Sequence, residues 1–177
     1  ETNKSLADQD HLFHLWPTAP ATGYIYATDI DANIEWDSLQ ALGRDTSDSA
    51  ATFDFTEADD ALNLTGHADS IQQRYTLGTG TPHTTVNKTL RGMAIQGIPV
   101  ANSTTTDTFQ TGILWDSSDD NDGQYDSTDN EDLIFYTEVN QDAIGAYGTY
   151  DYELTFPATL QETAGSTRQA YLYYELT

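Results

Sequence analysis

The sequence predicts an all-β fold: a single antiparallel β-sandwich, of Ig-like or jelly-roll type, preceded by a proline-spaced N-terminal arm. Three observations carry this. About eight or nine short apolar or alternating stretches recur between turn-forming residues, which is the spacing of short strands in such a fold. At most one stretch has helical spacing. The C-terminal third shows the clearest two-residue alternation, and no repeat period points to a solenoid or propeller.

Residues 1–22 form the arm and spacer, and 23–177 the domain. The arm is polar apart from the apolar knot Leu12–Trp16, after which Pro17 and Pro20 forbid a helix and favour an extended connector. Gly23–Trp36 is β-branched and aromatic and reads as a strand or a hairpin turning at Asp31–Asn33. Leu39 and Leu42, three apart and followed by Gly43, give the one short helix expected, over Trp36–Gly43. Ala51–Phe55 and Ala61–Leu64 alternate like half-buried strands, and Ile71–Leu77 reads as another, ended by the Gly78–Pro82 breaker.

Val86–Val100 is apolar but interrupted by Gly92, Gly97 and Pro99, so it predicts a strand with a bulge or bend. Four strands follow: Phe109–Trp115, Leu133–Val139, Tyr150–Phe156 and Ala170–Leu176, with a turn between Gln141 and Gly148. In Tyr150–Phe156 the apolar residues alternate with Asp151, Glu153 and Thr155, which predicts a sheet with one wet face.

Twenty-nine acidic residues against six basic ones give a formal charge of −23. A nucleic-acid partner is excluded because phosphate binding needs a basic face, and an anionic membrane surface is disfavoured for the same reason. Apolar residues make up 37% of the chain, too many for a disordered acidic tail. The balance of Asp and Thr over Lys resembles that of proteins from salt-loving prokaryotes. Cysteine is absent, which removes disulfides and thiolate chemistry, and no apolar run approaches a membrane span. The first residue is Glu rather than Met, so the expectation is a processed, exported product.

The densest feature is the acidic stretch 116–132, which crowds carboxylates between two apolar runs. Like charges this close repel unless salt screens them or a hard divalent ion neutralises them. Oxygen ligands at short spacing match calcium, with Asp116, Ser118, Asp119, Asp120, Asp122, Asp126 and Asp129 as the ligand pool. Counted from Ser118, the stretch resembles the calcium loops of EF-hand and dockerin-like proteins, with Gly123 at the sharp turn. It departs from them in Ser at the first position and Asp129 at the last, and in flanks that read as strands. A solvated charge run is the alternative. Asp29, Asp31 and Glu35, or Glu57, Asp59 and Asp60, form looser acidic groups.

Catalysis has no anchor in the sequence. His11 and His14 lack a third zinc ligand at any telling spacing, His67 and His83 stand alone, and no nucleophile motif is present, so no enzymatic activity is expected. Asn3, Asn63, Asn87 and Asn102 each begin an Asn-x-Ser/Thr sequon, which would carry glycans in an exported protein; about two such triplets arise by chance at this composition.

Leu12, Phe13, Leu15 and Trp16 must bury themselves somewhere. They either pair within their own domain as an edge strand or add to a neighbouring subunit. The Asp-rich loop, the proline-spaced arm and the sequons together resemble secreted prokaryotic filament and surface-layer β-domains, strand-donating pili among them. That resemblance implies an extracellular structural subunit that polymerises with itself through its arm and is stiffened by calcium. The competing expectation is a calcium-dependent carbohydrate-binding or adhesive module, with Trp16, Trp36, Trp115 and the tyrosines as a sugar-stacking platform.

Overall fold

The computed structural model describes residues 2–5, 11–14, 22–29, 32–43, 55–75, 84–103, 107–119, 125, 131–157 and 169–177. The strands among them are β1 (Thr2–Ser5), β2 (His11–His14), β3 (Gly23–Asp29), β4 (Leu39–Ala41), β5 (Thr85–Leu90), β6 (Met93–Asn102), β7 (Gln110–Asp116), β8 (Asp132–Glu138), β9 (Ala143–Gly145), β10 (Gly148–Tyr150), β11 (Tyr152–Thr155) and β12 (Gln169–Leu176). Two short helices, α1 (Thr56–Ala61) and α2 (Ile71–Tyr75), complete the set. Among the described residues every strand pairing is antiparallel, and the all-β class holds.

One large sheet runs in the order β1-β12-β3-β8-β7-β6-β5. The edge of β7 is shared: β6 pairs with its first half, Gln110–Gly112, and β4 with its second, Leu114–Asp116. Strand alternation sorts side chains to two faces. Tyr26, Leu114, Ile134 and Tyr136 cluster on one face with Leu90, Ile95 and Ile98 of the β5–β6 hairpin. On the other, Ala27, Ile113, Trp115, Phe135 and Leu172 pack against Phe55, Leu64, Ile71, Tyr75, Leu154 and Phe156. Each large apolar side chain fully removed from water contributes about 1.5–3 kcal/mol, so a sheet covered on both faces is strongly held.

The stretch 86–100, expected as one bent strand, is a hairpin. Arg91 and Gly92 both have positive φ (49° and 85°), the geometry of a two-residue turn whose twist matches the flanking strands. The bulge expected in this stretch is present further on. Val86 faces Ile98 and Lys88 faces Ile95, so β6 holds one extra residue, and Gly97 (φ 66°) donates its N–H to Asn87 Oδ1 at 2.8 Å. The hairpin tip is anchored on the sheet: Arg91 N donates to Glu175 (3.2 Å to Oε1), and its guanidinium lies 4.7 Å from the Trp36 ring centre.

Four other expectations need correction. Leu39–Ala41, expected within a helix, is strand β4, because its residues find a partner in the second half of β7. Ala61–Leu64, expected as a strand, ends α1: Leu64 N donates to Asp59 O and Asn63 N to Asp60 O, while Asn63 adopts φ 55°. This is the left-handed helix stop that Asn accepts more readily than most residues. Ile71–Tyr75, expected in a strand, is helix α2, whose first amides of Ile71 and Gln72 are accepted by the two Asp59 oxygens at 2.6 and 3.0 Å. Removal from water raises the pKa of Asp59, against the pull of those amides.

The fourth correction concerns β11. Its expected wet face is buried: Asp151 is 1% exposed, Glu153 0% and Thr155 3%. The β9–β10 hairpin sits over it. Asp142 N donates to Asp151 Oδ1 (3.0 Å) and Ala146 N to Glu153 Oε2 (2.8 Å), so a backbone donor meets one oxygen of each carboxylate.

Candidate functional site

The stretch 116–132 links two paired strands, as the sequence implied. β7 and β8 form its stem, and their register sets Asp116 opposite Asp132. Like charges directly opposite on neighbouring strands are destabilising unless something offsets them. Backbone amides from the segment after β3 do this in part. Glu35 N donates to Asp116 Oδ2 at 2.6 Å, Asn33 N to Asp132 Oδ2 at 2.8 Å, and Ser118 N to Asp116 Oδ1 at 3.0 Å. Ser117 adds a clamp, donating from N (3.1 Å) and Oγ (2.9 Å) to Ser38 O. Glu35, from one of the looser acidic groups, thus comes to the base of the main loop.

Of the expected calcium ligands, Asp116 is buried at the stem, and Ser118 and Asp119 are exposed just beyond it. Asp120, Asp122, Asp126 and Asp129 lie outside the described residues. Among those described, no three carboxylates or imidazoles converge as a metal-holding group. Tyr125 packs edge-on against Trp115, ring centres 6.3 Å apart, so the loop is tied to the core at its middle. No sequence signal marks that tie beyond an aromatic residue inside an acidic run.

The other acidic group, Glu57, Asp59 and Asp60, is partly engaged in holding the helices: Asp59 receives α2, and Asp60 accepts the Thr65 hydroxyl. His11 and His14 lie three apart on β2. His67 is exposed, and His83 lies outside the described residues.

Asn63, Asn87 and Asn102 are exposed, as glycan acceptors must be; Asn3 lies on β1. The arm pairs with its own chain. β1 lies along β12, and β2 along β11, with Leu12 opposite Leu154 and Phe13 opposite Glu153. Leu15 and Trp16 are outside the described residues. The expected sugar-stacking platform is not assembled at Trp115, which is fully buried, while Trp36 has Tyr26, Tyr173 and the Arg91 guanidinium against its ring.

The class these features define is an acidic all-β protein on one large antiparallel sheet. No family model, curated protein or solved structure matches the chain. Among the described residues no helix is long and apolar enough to cross a membrane.

Proposed function

We propose that this protein is a structural subunit of an extracellular filament or surface layer, assembled by exchange of its N-terminal arm and stiffened by calcium in the 116–132 loop. The observation that supports it most is the relation of β2 to β11. Strand β11 is buried on both faces, and the strand paired along it is β2, which a proline-bearing spacer separates from β3. A neighbour's arm entering the same register makes the same hydrogen bonds, so the closed monomer and the open chain of subunits differ mainly in where the spacer leads. A head-to-tail exchange does not close on itself and therefore propagates.

Because the chain has no cysteine, a single engineered pair reports on this directly. His11 and Thr155 are register partners, and the short Cα separation of antiparallel neighbours suits a disulfide. Oxidising the His11→Cys/Thr155→Cys variant of assembled protein is expected to yield a ladder of covalent oligomers on a non-reducing gel. A product confined to the monomer band sinks arm exchange.

Calcium would be held by Asp116, Ser118 and Asp119 at the stem together with Asp120, Asp122, Asp126 and Asp129, and would neutralise the charge that the Asn33 and Glu35 amides offset only in part. An ion bound by the folded state alone raises Tm by mass action. At fixed ionic strength, EDTA is expected to lower Tm and calcium to change Trp115 fluorescence through the neighbouring Tyr125. An unchanged Tm and emission remove the ion from the proposal.

A further inference from the structure

A cavity of about 330 Å³ is lined by residues of β5, β6 and β8 and by the segments where β7 begins and β8 finishes. Its apolar wall is Val86, Val100, Phe109 and Val139 together with the Tyr136 ring. Gly112 makes room for that ring. Val100, Gly112 and Tyr136 lie in one row across β6, β7 and β8, and a Cβ on Gly112 would collide with the Tyr136 ring. The ring therefore lies across β7 in the direction of Val100. Its hydroxyl is buried, with no hydrogen-bond partner among the described residues, and burial pushes its pKa far up, so it stays a neutral donor.

Polar groups complete the lining. The Gln110 and Asn140 amides supply both donors and acceptors, Asp107 is exposed, and Lys88 Nζ pairs with Glu138 Oε2 at 2.5 Å. Gln110 Nε2 is held by Asn102 Oδ1 (2.9 Å) and Asn140 Nδ2 by Thr108 O (3.3 Å), so the side chains are oriented before anything binds. One cation against two carboxylates, in a chain of charge −23, repels an anionic ligand. A purely apolar ligand would strand the amides and the ion pair without water.

We infer that this cavity is a binding site for one neutral pyranose unit of a glycan. Apolar and aromatic surface on one side meets the C–H face of such a ring, and fixed amides and carboxylates on the other meet its hydroxyls. The volume falls at the small end of the range for ligand sites, which suits a single sugar ring rather than a chain. This assignment does not depend on arm exchange. It gives the glycan-binding alternative a location other than the tryptophans.

The test is a ¹H–¹⁵N NMR titration of the intact protein with glucose, galactose, mannose and N-acetylglucosamine, with cadaverine as a cationic control. At least one sugar is expected to shift the Gln110 and Asn140 side-chain amides and to saturate in the millimolar range. Affinity is expected to fall tenfold or more in Gln110→Ala and in Asn140→Ala, each verified as folded by its backbone spectrum. Sugar binding that leaves both amides unmoved, and that both variants retain, overturns this location while leaving a glycan-binding module standing. Shifts by cadaverine alone overturn the ligand class, and no response to any sugar overturns the inference and the glycan reading together.

Discussion

Deleting residues 1–16 is expected to destabilise the domain by about 3 kcal/mol or more, because each buried backbone group left without a partner costs about 1–3 kcal/mol. The deletion removes β2 from β11, a strand buried on both faces, and β1 from β12. For a chain of 177 residues that corresponds to a fall in Tm of about 10 °C. The second half of the experiment carries the functional weight. A synthetic peptide of residues 1–16, added in excess, is expected to restore most of the lost Tm, since the β11 edge accepts the strand whether or not it is covalently attached. A deletion variant that melts like the full chain shows that the arm is dispensable. One that is destabilised yet ignores the peptide shows that the arm acts only within its own chain, and either result ends the case for strand exchange.

Replacing Trp115 by Ala is expected to cost about 3–5 kcal/mol, measured by urea unfolding, as for other large aromatic-to-Ala changes in a packed core. Trp115 is wholly buried, sits in the row between Gln40 and Leu133, and carries Tyr125 on its ring. Its indole N–H finds no acceptor among the described residues. Trp115→Phe keeps much of the apolar volume and discards that donor, so it is expected to cost well under half as much. Equal losses in the two variants would mean that the N–H, and not the packing of the ring, holds the site. In the Ala variant the Tyr125 seat disappears, so the calcium binding proposed for the loop is also expected to weaken; unchanged calcium affinity would separate the loop from the core beneath it.

Carboxylates in this chain do two kinds of work, and composition alone distinguishes neither. The sequence shows only the excess of acid, 29 acidic residues against six basic ones. The structure shows that several of those acids accept backbone amides: Asp59 at α2, Asp116 and Asp132 at the loop stem, Asp151 and Glu153 beneath β9–β10, and Glu175 at the Arg91 tip. Charge-assisted bonds of this kind are among the stronger ones a backbone N–H can make, and they lower the cost of taking a carboxylate out of water. Alternation at Tyr150–Phe156 was legible, but which partner would cover Asp151 and Glu153 was not.

The hairpin at Arg91–Gly92 was only half legible, since Gly92 suits such a turn but Arg91 is not one of the Asn, Asp or Gly residues that mark its first position. The helices at 56–61 and 71–75 were not legible. They are five or six residues long, α1 has no side-chain cap at its N-terminus, and Asp59 serves α2 from across a turn.

By itself the sequence determined the all-β class, the four strands Gln110–Asp116, Asp132–Glu138, Tyr152–Thr155 and Gln169–Leu176, and the position of the acidic stretch between two of them, because two-residue alternation and turn chemistry are local properties; the β9–β10 hairpin, read as a turn, was missed. Only the tertiary structure decided that Asp116 faces Asp132, that the arm lies along β11 and β12, that Trp115 is core and that a cavity lined by Gln110 and Asn140 exists. Each of those depends on which distant segments share an edge or a face, and pairing across scores of residues is settled by burial and register rather than by any neighbour in the chain.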